Sequence, residues 1–282
     1  MGYKKTGEVA VTADIYNQHI KDFDYIKTLD LERYFYDNDL SSVIGVNDFV
    51  RPANNGPNDT FVQEGGDVFL PDCADLARLH AIVRKRKALT VLEFGGGIST
   101  KVLANAISLN QEEWGDTIEL VRRQNPFKVH SVEAEQKYAD LTKGALGEYG
   151  AHVEMHVIDA IQTTYNDRAC GRYRTVPSVC PDLIYIDGPS PYSYFSDDAA
   201  YINMSHPDLT NITCDLIHLE AFLLPGTFVV FDGMTNNARF NCRALSRSWR
   251  SHEDVGMDYT MLVLDEAPIG IHHINQLKYI SN

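Results

Sequence analysis

The chain has 282 residues, 44% of them hydrophobic, and a formal net charge of −14, enough to bury a full core in one large domain or in one domain with an appendage. That charge repels polyphosphates and argues against nucleic acid or an anionic membrane as partner unless a local basic patch overrides it. The run Arg84-Lys85-Arg86-Lys87 is the candidate patch, and at the end of a predicted helix it reads instead as cations that complement the helix dipole and solvate a turn. The five cysteines (Cys73, Cys170, Cys180, Cys214, Cys242) have no C-x-x-C or zinc-like spacing and read as reduced thiols. With no apolar leader and no stretch of spanning length, the expectation is a soluble, cytoplasmic protein in which the sequons at Asn58, Asn203 and Asn211 carry no weight.

Residues 1–70 read as an N-terminal extension or cap rich in aromatics (Tyr16, Phe23, Tyr25, Tyr34, Phe35, Tyr36), with a helix over Asp14 to Phe35 in which aromatics form the docking face, followed by a turn-rich run from Arg51 to Asp59. Residues 71–282 read as the main domain. A helix from Asp75 to Arg86, with a stripe of Leu76, Leu79, Ile82 and Val83, leads to a strand at Thr90 to Phe94. Three glycines (Gly95, Gly96, Gly97) then turn the chain into a helix from about Thr100 to Leu109. The polar segment Gln111 to Gln124 has room for a helical turn, and a strand at Lys128 to Glu133 precedes a helix at Gln136 to Gly147.

Further strands are predicted at Val153 to Asp159, Asp182 to Asp187 and Thr227 to Asp232, with Asp167 to Val179 as a loop and a long irregular stretch to about Pro207. Helices are predicted at Asp208 to Leu224 and Asn237 to Trp249, and two closing strands at Tyr259 to Leu264 and His272 to Ile280. This alternation implies right-handed crossovers and a mainly parallel sheet covered on both faces, with ligands at the carboxyl ends of the strands. Five of those ends carry an acid: Glu93, Glu133, Asp159, Asp187 and Asp232. A packed sheet requires no acid there, so their recurrence on one rim points to a polar, hydroxylated and partly cationic ligand. Glu133 suits a ribose diol and Asp159 an adenine amino group. A dinucleotide fingerprint is disfavoured, since Thr100 stands where the third glycine belongs and Glu133 lies well beyond the usual distance of about 20 residues.

Over residues 75–282 these features resemble the class I S-adenosylmethionine-dependent methyltransferases. Glu93-x-Gly95-x-Gly97-x-Ser99 is similar to that family's first motif, with Ser99 in place of its last glycine. The resemblance implies a Rossmann-like, doubly wound seven-stranded sheet closed by an antiparallel hairpin, identified with the run Tyr259 to Ile280. It also implies S-adenosylmethionine held by Glu93, Gly95, Gly96, Gly97, Ser99, Thr100, Glu133, Asp159, Ala160 and Asp187, and methyl transfer to a small molecule or glycan precursor, with oxygen as the expected acceptor atom.

Asp187 and Asp232 are the candidate catalytic bases. Ile186-Asp187 and Phe231-Asp232 also resemble the catechol-type O-methyltransferases, where two aspartates and an asparagine hold magnesium. Gly233 replaces that asparagine, although Asn236 and Asn237 lie nearby, so magnesium is not the favoured expectation. Asp187-Gly188-Pro189-Ser190-Pro191-Tyr192 resembles the D/N-P-P-Y motif of amino-group methyltransferases with its spacing off by two, and reads as a Pro-rich turn closing over the cofactor. Arg239 reads as a solvated helix residue, His206 as a residue where a base would sit, and His130, His156 and His218 as packing residues. The competing functions are an aminopropyl transferase using the decarboxylated cofactor and a non-catalytic scaffold, and a homo-oligomer is compatible with either.

Overall fold

The computed structural model describes residues 17–51, 60–63, 66–69, 72–119, 121, 123–195, 202–206 and 208–281. The start of the first expected helix (14–16), the turn-rich run 52–59 with its Asn58 sequon, and residues 196–201 and 207 of the irregular stretch lie outside them.

The described chain opens with α1 (Gln18–Lys27), α2 (Leu31–Asp37) and α3 (Leu40–Ile44). The single helix expected to Phe35 is two, because Asp30 leaves the helical path to cap α2, its carboxylate accepting from the Arg33 amide at 3.1 Å. A hairpin of β1 (Thr60–Gln63) and β2 (Gly66–Phe69) precedes α4 (Cys73–Lys85), capped by Asp72. Then follow β3 (Thr90–Phe94), α5 (Ile98–Trp114), β4 (Lys128–Glu133), α6 (Gln136–Ala145), β5 (Val153–Val157), β6 (Ala160–Tyr165) and β7 (Arg168–Tyr173). The chain closes with β8 (Leu183–Ile186), β9 (Tyr194–Phe195), α7 (Asp215–Leu219), β10 (Phe228–Asp232), α8 (Thr235–Ala244), β11 (Trp249–Asp254), β12 (Tyr259–Leu264) and α9 (Gly270–Ser281).

Seven strands form the central sheet in the order β11-β12-β10-β8-β3-β4-β5. The five from β10 to β5 are mutually parallel, while β12 runs antiparallel to both β10 and β11. The result is a Rossmann-like, doubly wound sheet with an antiparallel hairpin at one edge. One face packs Val91, Val129, Leu183 and Val230 against Leu79, Ile82, Leu103 and Ile107 of α4 and α5. The other packs Leu92, Val132, Ile184 and Val229 against Leu216 and Ala238 of α7 and α8. Strand order reverses between β3 and β8, so their carboxyl ends open a crevice there.

Three expectations change. Residues 160–173 form a hairpin rather than running into a loop at Asp167, because Asn166 and Asp167 both adopt positive φ (48° and 60°), the two-residue turn that matches strand twist. The helix expected over Asp208 to Leu224 shrinks to α7 and a following 3₁₀ turn, since backbone at Gly171 bonds Ile212 and Cys214 and holds that segment beside β7. The antiparallel hairpin is built from β11 and β12, and His272 to Ile280 is helical within α9, packed on the core through Leu277, Tyr279 and Ile280.

The N-terminal helices are part of the core. Phe23 and Ile26 join the α4–α5 face, and Phe35, Leu40 and Val43 cover Leu76, Ala77 and Val102. Arg86 does not solvate a turn: it is 4% exposed, donates to Asp22 at 3.0 Å and to the Gly226 carbonyl at 3.0 Å, and so fastens α1 to the sheet. Stripping one partner from a buried pair leaves the other charge uncompensated, whereas replacing both by apolar groups does not. Asp22→Ala is therefore expected to lower unfolding free energy by about 3–5 kcal/mol, and an Asp22→Leu/Arg86→Met double variant to recover most of it in urea titrations.

Candidate active site

Glu93 ends β3 beneath the glycine turn and is fully buried. Ser99 Oγ donates to one of its oxygens at 2.7 Å and Thr100 Oγ1 to the other at 2.5 Å, and the Ser131 hydroxyl also bonds it. Burial pushes its carboxyl up to about 7 against the pull of these hydroxyls. Glu93, Ser99 and Thr100 thus hold the turn from below, their polar atoms spent on one another. Thr100 Oγ1 also accepts from the Gly97 amide at 3.0 Å.

Above them the turn is shaped by close approach. Gly95 has φ of +95°, and a Cβ there would lie 2.9 Å from the Gly188 nitrogen, while a Cβ on Gly188 would lie 2.6 Å from the Gly95 Cα. Only two glycines let the β3 and β8 ends touch at the point where strand order reverses. Gly96 donates to Glu133 at 3.1 Å and is backed by Ser131. Gly97, extended at φ −176°, would meet nothing within 4 Å of a Cβ, so it faces open space at the start of α5.

Glu133, at the end of β4, accepts from the amides of Gly96 and Glu135, and desolvation still outweighs these donors and raises its pKa. Asp159 lies two residues past β5, half exposed, with Arg174 at 3.4 Å. Ala160 starts β6 and is buried with Tyr194 and Met204. Glu93, Glu133, Asp187 and Asp232 do close on one rim; Asp159 stands at its margin beside the hairpin, and Ala160 packs beneath it.

Asp187 and Asp232 end the neighbouring strands β8 and β10. Asp187 is exposed. Desolvation, then the charges of Glu93, Asp75 and Glu133, raise its pKa. Asp232, half-buried, accepts from Tyr185 Oη at 2.5 Å and is pushed up to about 7 by desolvation and by Asp187.

Asp75, from the first turn of α4, completes the group. It bonds Asp232, pairs with Arg78 and is pushed up to about 8, by desolvation first and then by Asp232. Arg78 lies over the Tyr259 ring at 3.6 Å. Sequence reading placed Asp75 only at a helix start, because nothing local shows that α4 reaches the ends of β8 and β10. Among the described residues Asp187 and Asp232 form no ion pair with a basic side chain.

The asparagines that would complete a magnesium site turn elsewhere. Asn236 donates to Thr210 at 2.6 Å, and Asn237 is buried against the Thr213 amide and hydroxyl. Among the described residues, Asp75, Asp187 and Asp232 do not form a three-carboxylate set with ligand oxygens within 4.8 Å of one another. The Pro-rich segment after Asp187 is a turn, Pro189 accepting from Asn211 at 2.5 Å and Tyr192 standing exposed. His206 is half exposed and 3.8 Å from Asp208, and Arg239 is held by Glu253.

No family model matches the sequence, and no curated protein does. Among solved structures, the chain is similar to the O-methyltransferase TomG from Streptomyces achromogenes involved in tomaymycin synthesis, in complex with SAM (17% identity, 90% of this chain, 100% of that one, TM-score 0.39). It is similar too to an O-methyltransferase from Bacillus cereus in complex with SAH (16%, 89% and 99%, TM-score 0.39) and to the SAH-bound methyltransferase PaMTH1 of Podospora anserina (10%, 92% and 100%, TM-score 0.43). Likenesses this distant leave the chemistry to be argued from the site.

The raised carboxyls set a pH dependence. A carboxyl whose folded pKa lies above its unfolded value holds extra protons in the folded state, so its contribution is fully present below about pH 4 and is lost as pH rises through about 7. Melting temperatures of the unliganded protein measured from pH 5 to 8 are expected to show this loss, and Asp232→Asn, which keeps an acceptor for Tyr185, to flatten it.

Proposed function

We propose that the recess where β3 meets β8 binds S-adenosylmethionine and that the protein transfers its methyl group to an oxygen nucleophile of a small molecule or glycan precursor. The observation that carries this reading is the excess of carboxylate at the strand-order reversal: Asp75, Asp187 and Asp232 crowd one recess with Arg78 as their cationic neighbour. A sulfonium and an ammonium on one ligand supply the missing positive charge, and the open turn at Gly97 admits backbone contact from the same ligand.

In this reading Glu133 meets the ribose hydroxyls with lone pairs left over from its backbone bonds, and Asp159 lies toward the adenine. Methyl transfer is an in-line displacement that needs alignment first and a proton acceptor second. Asp232 takes the second role in this reading, supported by a pKa raised to about 7, which suits an acceptor at neutral pH, and by its hydrogen bond from Tyr185. Transfer turns the sulfonium into a neutral thioether while the acceptor's hydroxyl proton passes to Asp232, so the spent cofactor carries one positive charge fewer and its attraction to the acids relaxes, favouring release.

The same acid group supports a second reading, aminopropyl transfer to a polyamine from the decarboxylated cofactor, because three carboxyls suit a cationic acceptor. Calorimetry with both cofactors separates the two by preference. For the first reading, wild-type protein is expected to bind S-adenosylmethionine and its demethylated product, and Gly97→Val to abolish binding with little change in melting temperature, since its side chain enters only the ligand space. Failure of wild-type protein to bind either compound overturns the proposal.

A further inference from the structure

A second group of chemistry-bearing side chains lies away from the rim. β5 is the edge strand of the central sheet, and its register sets Glu154 opposite His130 of β4, with His156 two residues along on the same face. Alternation along β4 turns His130 to the face of Val132, opposite the face that carries Glu133. His130 Nδ1 lies 3.2 Å from His156 Nε2 and 3.4 Å from Glu154 Oε2, and the ligand atoms of all three fall within 4.8 Å of one another. The two imidazole planes stack at 19° with centroids 5.5 Å apart.

Zinc bonded tetrahedrally to nitrogen and oxygen at about 2.0–2.2 Å spaces its ligand atoms about 3.3 Å apart. The distances from His130 Nδ1 match that edge length without backbone movement. We propose that His130, Glu154 and His156 form a binding site for a divalent transition metal of the zinc type, with a fourth position open to water. Two imidazoles and one carboxylate select such a metal over magnesium or calcium, which favour all-oxygen sets.

The surroundings prepare the ligands. Desolvation lowers the pKa of both histidines, against the opposing pull of Glu154. His130 is buried, whereas Glu154 is 43% exposed and marks the side from which an ion enters. A metal here ties the unpaired edge strand to its single neighbour.

The test uses the full chain dialysed against zinc, with metal counted by mass spectrometry, and cobalt(II) as spectroscopic probe. His156→Ala and Glu154→Ala both alter the more open side of the group, and their metal-free melting temperatures report whether they fold. The wild type is expected to retain one zinc per chain, to gain thermal stability from it, and to give the intense visible absorption of four-coordinate cobalt; either variant is expected to lose most of each. Zinc uptake that is absent in wild type, or equal in wild type and both folded variants, overturns the proposal. None of these readouts involves S-adenosylmethionine, so the outcome stands apart from the methyl-transfer reading.

Discussion

The structure depends on a carboxylate placed where water cannot reach it. Glu93 lies at the carboxyl end of β3, fully buried and in no ion pair among the described residues, and burying such a group is costly unless hydrogen bonds replace its hydration. Three hydroxyls do so, and two of them, Ser99 and Thr100, belong to the first turn of the helix that follows. The acid therefore dictates how the chain leaves the strand: only a turn tight enough to bring those hydroxyls back over Glu93 satisfies it. Gly95 provides that turn, and its bare Cα lets the neighbouring strand end at Gly188 close against it. Strand, turn, helix and the adjacent loop are fixed together by one side chain.

Around that point, negative charge is spent unevenly. Glu133 is quieted by backbone amides, and Asp159 by Arg174 at the margin. Asp75 and Asp232 have Arg78 nearby and Asp187 and Asp232 have the Tyr185 hydroxyl, yet desolvation first, and neighbouring carboxylates second, raise all three. Carboxyls held near neutrality are poised to ionise when a cation arrives, so ligand binding and proton release are linked in this recess. The same arrangement costs the unliganded protein stability at higher pH, a common trade at sites built for a ligand.

Much of this was legible in the sequence, because strands and their acidic ends are local patterns. The runs ending at Glu93, Glu133, Asp187 and Asp232 are strands, and their parallel order follows from alternation with helices. What escaped depends on pairing between distant segments. The hairpin over 160–173 turns on positive φ at Asn166 and Asp167, residues that tolerate it without advertising it as glycine does. Arg86 looked like a solvated helix end until Asp22, 64 residues earlier, was seen to bury it. Asp75 joined the site, and His130 met His156, only through tertiary placement. Helical periodicity in Asp208 to Leu224 was overridden by backbone bonds to β7.

Thr100 shows why the turn suits a sulfonium ligand better than a pyrophosphate. A dinucleotide loop keeps its helix amides unpartnered and its third position bare, so that anionic oxygens can settle on the helix N-terminus. Here the Gly97 amide already donates to Thr100 Oγ1, and Thr100 in turn donates to Glu93. One anion-binding donor is consumed inside the protein, and a carboxylate lies directly beneath. A pyrophosphate would lose a hydrogen bond and face like charge at the same place, whereas the proposed cationic ligand would not. The substitution that breaks the dinucleotide pattern is thus the one that assembles this turn.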